Sequence, residues 1–173
     1  MAQNRERTGV GKVAMSQVAE VAREVELKDI RVVSFAAEQR PELIGPKMDV
    51  RQGIDTETTA DAEAGEIRVT ARFTADALPL EQESADVAVR IAVTFELAYH
   101  CEAVEGLSEE ALEAFGKING VYNSWPYWRE FVHSTTARMG LPPLIMPVFR
   151  LSDHLPAQSK QKPKEDTPSH KSE

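Results

Sequence analysis

The sequence predicts an α+β domain: a four-stranded antiparallel sheet with helices packed on one face. Three observations carry that prediction. Between residues 27 and 101, apolar residues recur in strand-like runs separated by turns rather than by helices. After Gly106 the spacing changes to that of helices. The bulk numbers fit one soluble globular unit with a modest core: 173 residues, 42% hydrophobic and 28% charged.

The elements follow in order. Val10, Val13, Ala14, Val18, Val21, Ala22 and Val25 fall on one helical face, so an amphipathic helix is expected over Val10–Val25. It is valine-rich and needs a surface to pack on. Leu27–Glu38, with Ile30, Val32, Val33 and Phe35, reads as the first strand. A proline-bounded loop, Gln39–Pro46, ends it. Met48, Val50, Gln52 and Ile54 then alternate with Asp49, Arg51, Gly53 and Asp55 as a second strand, and Thr56–Gly65 reads as polar and turn-like. Ile67, Val69, Ala71 and Phe73 mark the third strand. The longest signal is Val87–Cys101, with Val87, Val89, Ile91, Val93, Phe95, Leu97 and Tyr99 on one face. Strands joined by turns pair antiparallel, with one dry and one wet face.

Ser108 followed by Glu109 and Glu110 marks a helix start, with Ala111, Leu112, Phe115 and Ile118 on its apolar side. A second helix is expected from about Asn123-Ser124, with Pro126 in its first turn and Gly140 at its end. Leu141–Phe149 is apolar, and its three prolines forbid a regular helix. The organisation expected is a polar segment and amphipathic helix over 1–26, the main domain over 27–155, and a polar, disordered tail over 156–173.

Composition narrows the function. A formal net charge of −8 argues against nucleic acid as the main partner. The single cysteine, Cys101, cannot form an internal disulfide or a multi-thiolate zinc site. With neither a signal-peptide-like run nor a membrane-length apolar stretch, the chain reads as soluble and cytoplasmic. Gly-rich phosphate loops, HExxH, CxxC and GxSxG are all absent, so no catalytic residue, metal or cofactor is expected and the chain reads as a non-enzyme. His100 and Cys101 are neighbours in a strand and point to opposite faces, so they cannot act as base and nucleophile. Glu130 and His133 form one Glu-x-x-His pair on a helix, where a bundle metal site requires two. A pocket built on that pair, in a ligand-binding or enzymatic α+β domain, is the reading from a different class.

The stronger signal is apolar residues that a lone domain struggles to bury. Trp125, Tyr127 and Trp128 put three aromatics within four residues, and no single helix face takes them all. With Phe131 they read as core or oligomer interface. Leu43 and Ile44 in the first loop, and Leu141, Leu144, Ile145 and Met146 in the second, are either packed beneath a neighbour or form a binding surface.

The segment Asn123-Ser-Trp-Pro-Tyr-Trp-Arg-Glu-Phe-Val132, then Arg138-Met-Gly-Leu-Pro-Pro-Leu144 and Met146-Pro-Val-Phe149, resembles the SecB family. A Pro-Tyr-x-Arg-Glu core lies at Pro126, Tyr127, Arg129 and Glu130, and the resemblance spans roughly Val87–Leu151. It implies a molecular chaperone, a holdase working in protein export, that assembles as a homotetramer, a dimer of dimers. It further implies unfolded or precursor polypeptides as partners, held at Leu43, Ile44, Leu141, Leu144, Ile145 and Met146. The translocation motor SecA is another implied partner, although the tail, which lacks cysteine, departs from the family's zinc-binding tail. A SecB-like chaperone dedicated to one client, such as an antitoxin, is the alternative.

Overall fold

The structure, a computed structural model, describes residues 18–19, 21–80 and 86–149. Its centre is an antiparallel sheet of four strands in the order β1-β4-β3-β2, with β1 Val25–Gln39, β2 Met48–Asp61, β3 Glu66–Pro79 and β4 Val89–Cys101. Helix α1, Glu109–Phe115, runs through a five-residue π-helical segment, Gly116–Gly120, into α2, Val121–Arg138. The sequence expectation of four antiparallel strands with helices on one face matches this architecture.

Alternation on the two central strands builds the core. Ile67, Val69, Ala71, Phe73 and Ala75 of β3 are buried, as are Val89, Ile91, Val93, Phe95, Leu97, Tyr99 and Cys101 of β4. The α2 rings seat on this face. Phe73 stacks on Trp128 with centroids 5.5 Å apart and meets Trp125 edge-on at 6.0 Å. Tyr99 meets Phe115 edge-on at 5.0 Å. Offset and edge-to-face pairs of this kind add to the free energy of area burial.

The helices approach the sheet closely because two glycines open the way. A Cβ on Gly116 would sit 2.0 Å from the Thr58 Oγ1, and one on Gly120 would sit 2.5 Å from the Val69 Cγ1. Ser108 caps α1, its hydroxyl accepting from the Ala111 N–H at 3.2 Å, as the sequence pattern predicts. Gly140, at φ 75°, ends α2: its N–H reaches the Ala137 carbonyl and the Leu141 N–H reaches that of Thr136. That pair of bonds is a Schellman cap.

Three expectations are corrected. Thr56–Asp61 is strand, and only residues 62–65 turn, held by Asp61 Oδ1 accepting from the N–H groups of Glu63 and Ala64 and by Gly65 at φ 63°. Polar composition misleads here because β2 is an edge strand, wet even on much of its inner face. The second helix begins at Val121 rather than near Asn123, since no loop separates it from α1. Pro126 therefore lies inside α2 rather than in its first turn, removing the bond its N–H would give to the Tyr122 carbonyl.

Of the expected N-terminal helix, residues 18–19 and 21–24 are helical. Val21 is buried in the main core, and Val18 packs with Ala114 and Ile118. The polar segment before residue 18 and the tail beyond residue 149 lie outside the described residues.

Candidate functional site

The site is built on a proline-rich strap, residues 141–149, which leaves the Gly140 cap and runs back along α2. Pro142, Pro143 and Pro147 offer no N–H, so no regular backbone ladder can hold it. Side chains of α2 hold it instead. Thr136 Oγ1 accepts from the Leu144 N–H at 3.0 Å, Arg129 Nε donates to the Met146 carbonyl at 3.0 Å, and Trp125 Nε1 donates to the Pro147 carbonyl at 2.9 Å. At the far end Phe149 meets Trp125 at 5.5 Å and Tyr122 at 6.2 Å.

Held this way, the strap turns Ile145 and Val148, three residues apart, outward. Met146 is 2% exposed and joins the core, while Ile145 is 76% exposed and Val148 58% exposed. Leu141 and Leu144 are half-buried and pack against the core from outside. The loop after β1 begins with a 3-10 turn at Pro41–Leu43, and there Leu43 is half-buried and Ile44 stays partly exposed. Gln39 Nε2 reaches the Met139 carbonyl at 3.4 Å, tying the end of β1 to the end of α2 next to the start of the strap.

A second apolar surface lies along edge strand β1. Leu27, Ile30, Val32, Phe35 and Ala37 face Tyr99, Leu97, Phe95, Val93 and Ile91 across the ladder, so they belong to the helix-bearing face. Lys28 and Val33 have no partner in that register and are bulge residues. Although its β4 neighbours are buried, Phe35 is 70% exposed. It meets Phe131 of α2 edge-on at 5.7 Å, and beside it Tyr127 lies near Phe95 at 6.4 Å.

The opposite face of the sheet is polar and ion-paired. Arg90 clasps Asp76 through two nitrogens at 2.8 and 2.9 Å, and Arg72 bridges Asp55 and Glu57 at 3.1 and 3.3 Å. Arg68 binds Glu66 at 2.8 Å and shares Glu96 with Arg31. These arginines are matched by carboxylates, so among the described residues the face presents no free basic patch of the kind phosphate binding needs.

Among the described residues no cluster of three or more His, Cys, Asp or Glu is placed to hold a metal. His133 and Glu130 sit exposed on α2, and no hydrogen bond joins them. His100 is exposed and Cys101 buried, on opposite faces of β4 as expected. Burial pushes the Tyr99 phenol up to about 12, against a hydrogen bond from Asn123 Nδ2 at 3.0 Å that acts in the other direction. That phenol is part of the core packing.

The structure therefore distributes the residues singled out from the sequence. Trp125 and Trp128 are core, Phe131 is half-buried and Tyr127 is exposed. Of the six loop residues, Ile145 and Ile44 are the most open, Leu43, Leu141 and Leu144 are partly covered, and Met146 is inside. Sequence reasoning missed Val148 and Phe35. Val148 lies three residues after Ile145, the repeat of an extended proline-rich chain, whereas Phe35 is hidden by bulges that break the alternation of β1.

Comparison with known proteins finds SecB-like chaperones, in agreement with the resemblance read from the sequence. The chain is 26% identical over 163 residues to the SecB-like chaperone Rv1957 of Mycobacterium tuberculosis strain H37Rv, covering 83% of this chain and 88% of that protein. The same figures hold for the SecB-like chaperone MT2006 of strain CDC 1551. A solved structure of Rv1957 in complex with a ChAD peptide from the Rv1956 HigA1 antitoxin superposes with a TM-score of 0.67 at 19% identity, covering 78% of this chain and 97% of that one. No protein-family model matches. None of the helices described is long and apolar enough to cross a membrane.

Proposed function

We propose that this protein is a holdase chaperone of the cytoplasm that binds extended, non-native polypeptide along the strap and the loop after β1. The observation that carries the reading is Ile145: a large aliphatic side chain 76% exposed, held outward by a strap that α2 pins from beneath. Ile44, Leu43, Leu141, Leu144 and Val148 extend the same surface. An unfolded chain exposes apolar side chains and unpaired backbone, which an apolar surface of this kind takes up without strict sequence reading. Met146 contributes from within, as the strap's anchor.

Replacing Ile145 and Ile44 together with serine tests this. Burying one such side chain against a client contributes about 1.5–3 kcal/mol at most, so the double variant should bind a permanently unfolded protein roughly ten-fold or more weakly. Its thermal midpoint should stay near that of the parent, because Ile145 supports little of the core. Unchanged affinity would refute the proposed surface.

Assembly into a dimer of dimers is part of the proposal, and the exposed apolar edge of β1 supports it. Edge strands with uncovered apolar side chains are normally paired or covered. Sedimentation of the wild type and of Phe35→Ser checks this: a wild-type monomer would refute it. The complex of Rv1957 with an antitoxin peptide supports a role devoted to one client. Protein export, with SecA as a partner, is the broader role within the same class. A dedicated chaperone binds one antitoxin peptide far more tightly than a panel of export precursors, whereas an export chaperone binds the panel evenly.

A further inference from the structure

We infer that Thr136, Arg129 and Trp125 act as positioning residues that fix which strap side chains face outward and thereby set the affinity for extended polypeptide. The inference rests on the reading above that the strap contacts client, and it deepens that reading by naming what holds the contact surface in shape.

The geometry is that of a clamp. Residues 125, 129 and 136 lie four and seven positions apart, which puts them within about 40° of one another around a helix of 3.6 residues per turn. From that one stripe they reach successive backbone groups of a chain running the opposite way: the Pro147 carbonyl, the Met146 carbonyl and the Leu144 N–H. An extended segment with three prolines has almost no hydrogen bonds of its own to define its conformation. Its shape is therefore set from outside, by these three side chains and by the buried Met146.

What the clamp decides is register. In an extended proline-rich chain with three residues per turn, a slip of one residue turns a different set of side chains inward. The observed register places Met146 in the core, with Ile145 and Val148 outward. A slip that put Ile145 in the place of Met146 would bury that aliphatic contact and expose the flexible thioether. A strap already fixed in its binding form spares the client the entropy of ordering it, so loosening the clamp weakens binding without removing a single contacting side chain.

Two of the three groups, the indole N–H and the guanidinium, can be removed while the packing is kept. Trp125→Phe deletes the indole N–H and retains a ring against Phe73 and Phe149. Arg129→Met deletes the guanidinium and retains the stem, and Arg129→Lys restores a donor. The full chain and these variants would be titrated with a reduced, carboxymethylated, fluorescently labelled protein that stays unfolded. Amide hydrogen exchange would be followed in the strap and in β3 and β4.

Loss of one such hydrogen bond is expected to weaken binding about two- to ten-fold in Arg129→Met and in Trp125→Phe. Exchange should rise at the Leu144 amide, which Thr136 holds, and at buried Met146, and stay unchanged in β3 and β4, and Arg129→Lys should recover most of the affinity. Faster strap exchange with unchanged affinity would overturn the inference. So would exchange rising equally throughout the sheet, which would make these residues supports of the whole fold. If Ile145→Ser combined with Val148→Ser also bound normally, the strap would not be the client surface and the functional reading would fall with the inference. If that variant lost binding while the clamp variants did not, the inference alone would fall.

Discussion

Adding one methyl group at Gly120 tests how the helical layer sits on the sheet. An ideal Cβ there lies 2.5 Å from the Val69 Cγ1, 3.4 Å from its Cβ and 3.8 Å from its Cγ2. Comfortable carbon–carbon separation is about 3.5–4.0 Å, so one of the two elements must move by roughly 1 Å. Val69 cannot easily give way. It is fully buried near the start of β3, paired with Leu97 on one side and Thr58 on the other, and its β-branched side chain has little rotamer freedom.

Overpacking of a tight core costs about 1–3 kcal/mol, while replacing glycine by alanine within a helical segment returns up to about 1 kcal/mol. Gly120→Ala is therefore expected to destabilise by a net of about 1–2 kcal/mol. For a domain of this size that lowers the thermal midpoint by about 2–8 °C. Urea unfolding followed by tryptophan fluorescence measures it, because Trp125 and Trp128 lie in the affected layer. A double-mutant cycle with Val69→Ala assigns the cause: trimming the valine relieves the clash, so the pair should cost at least about 0.5 kcal/mol less than the sum of the two single changes. A Gly120→Ala protein as stable as the parent, or strict additivity in the cycle, would refute the claim that this glycine sets the helix–sheet distance.

Further expectations concern the buried phenol and the first helix. The folded-state value of Tyr99, about 12 against an ordinary 10.0, means that folding favours its neutral form. Its stabilisation is fully present below pH 10 and is lost as pH rises through 12, a total of about 2–3 kcal/mol. Unfolding free energies taken across that range should fall more steeply for the wild type than for Tyr99→Phe, and parallel curves would contradict this. Ser108→Ala removes the α1 cap and should cost about 1 kcal/mol, restored by aspartate at the same position, as read by urea midpoints.

Local patterns determined most of the fold. Strict alternation on β3 and β4 named the buried face correctly, because both strands are central and one side of each is dry. The cap at Ser108 and the stop at Gly140 were legible because capping depends on local residue types alone. The sequence also marked the loop residues from which the candidate surface is drawn.

Tertiary structure decided what local patterns leave open. The full length of β2 depends on pairing with β3, which overrides the turn-like composition of Thr56–Asp61. The joining of α1 to α2 depends on two glycines meeting Thr58 and Val69, a contact between residues far apart in sequence. Register bulges on β1 turn Phe35 toward the helices, where counting by twos from Ile30 and Val32 misplaces it. The strap divides into buried Met146 and outward Ile145 only because side chains of α2 reach its backbone. An apolar run by itself specifies burial somewhere. Which of its residues stay outside is fixed by the partners that the rest of the chain brings to it.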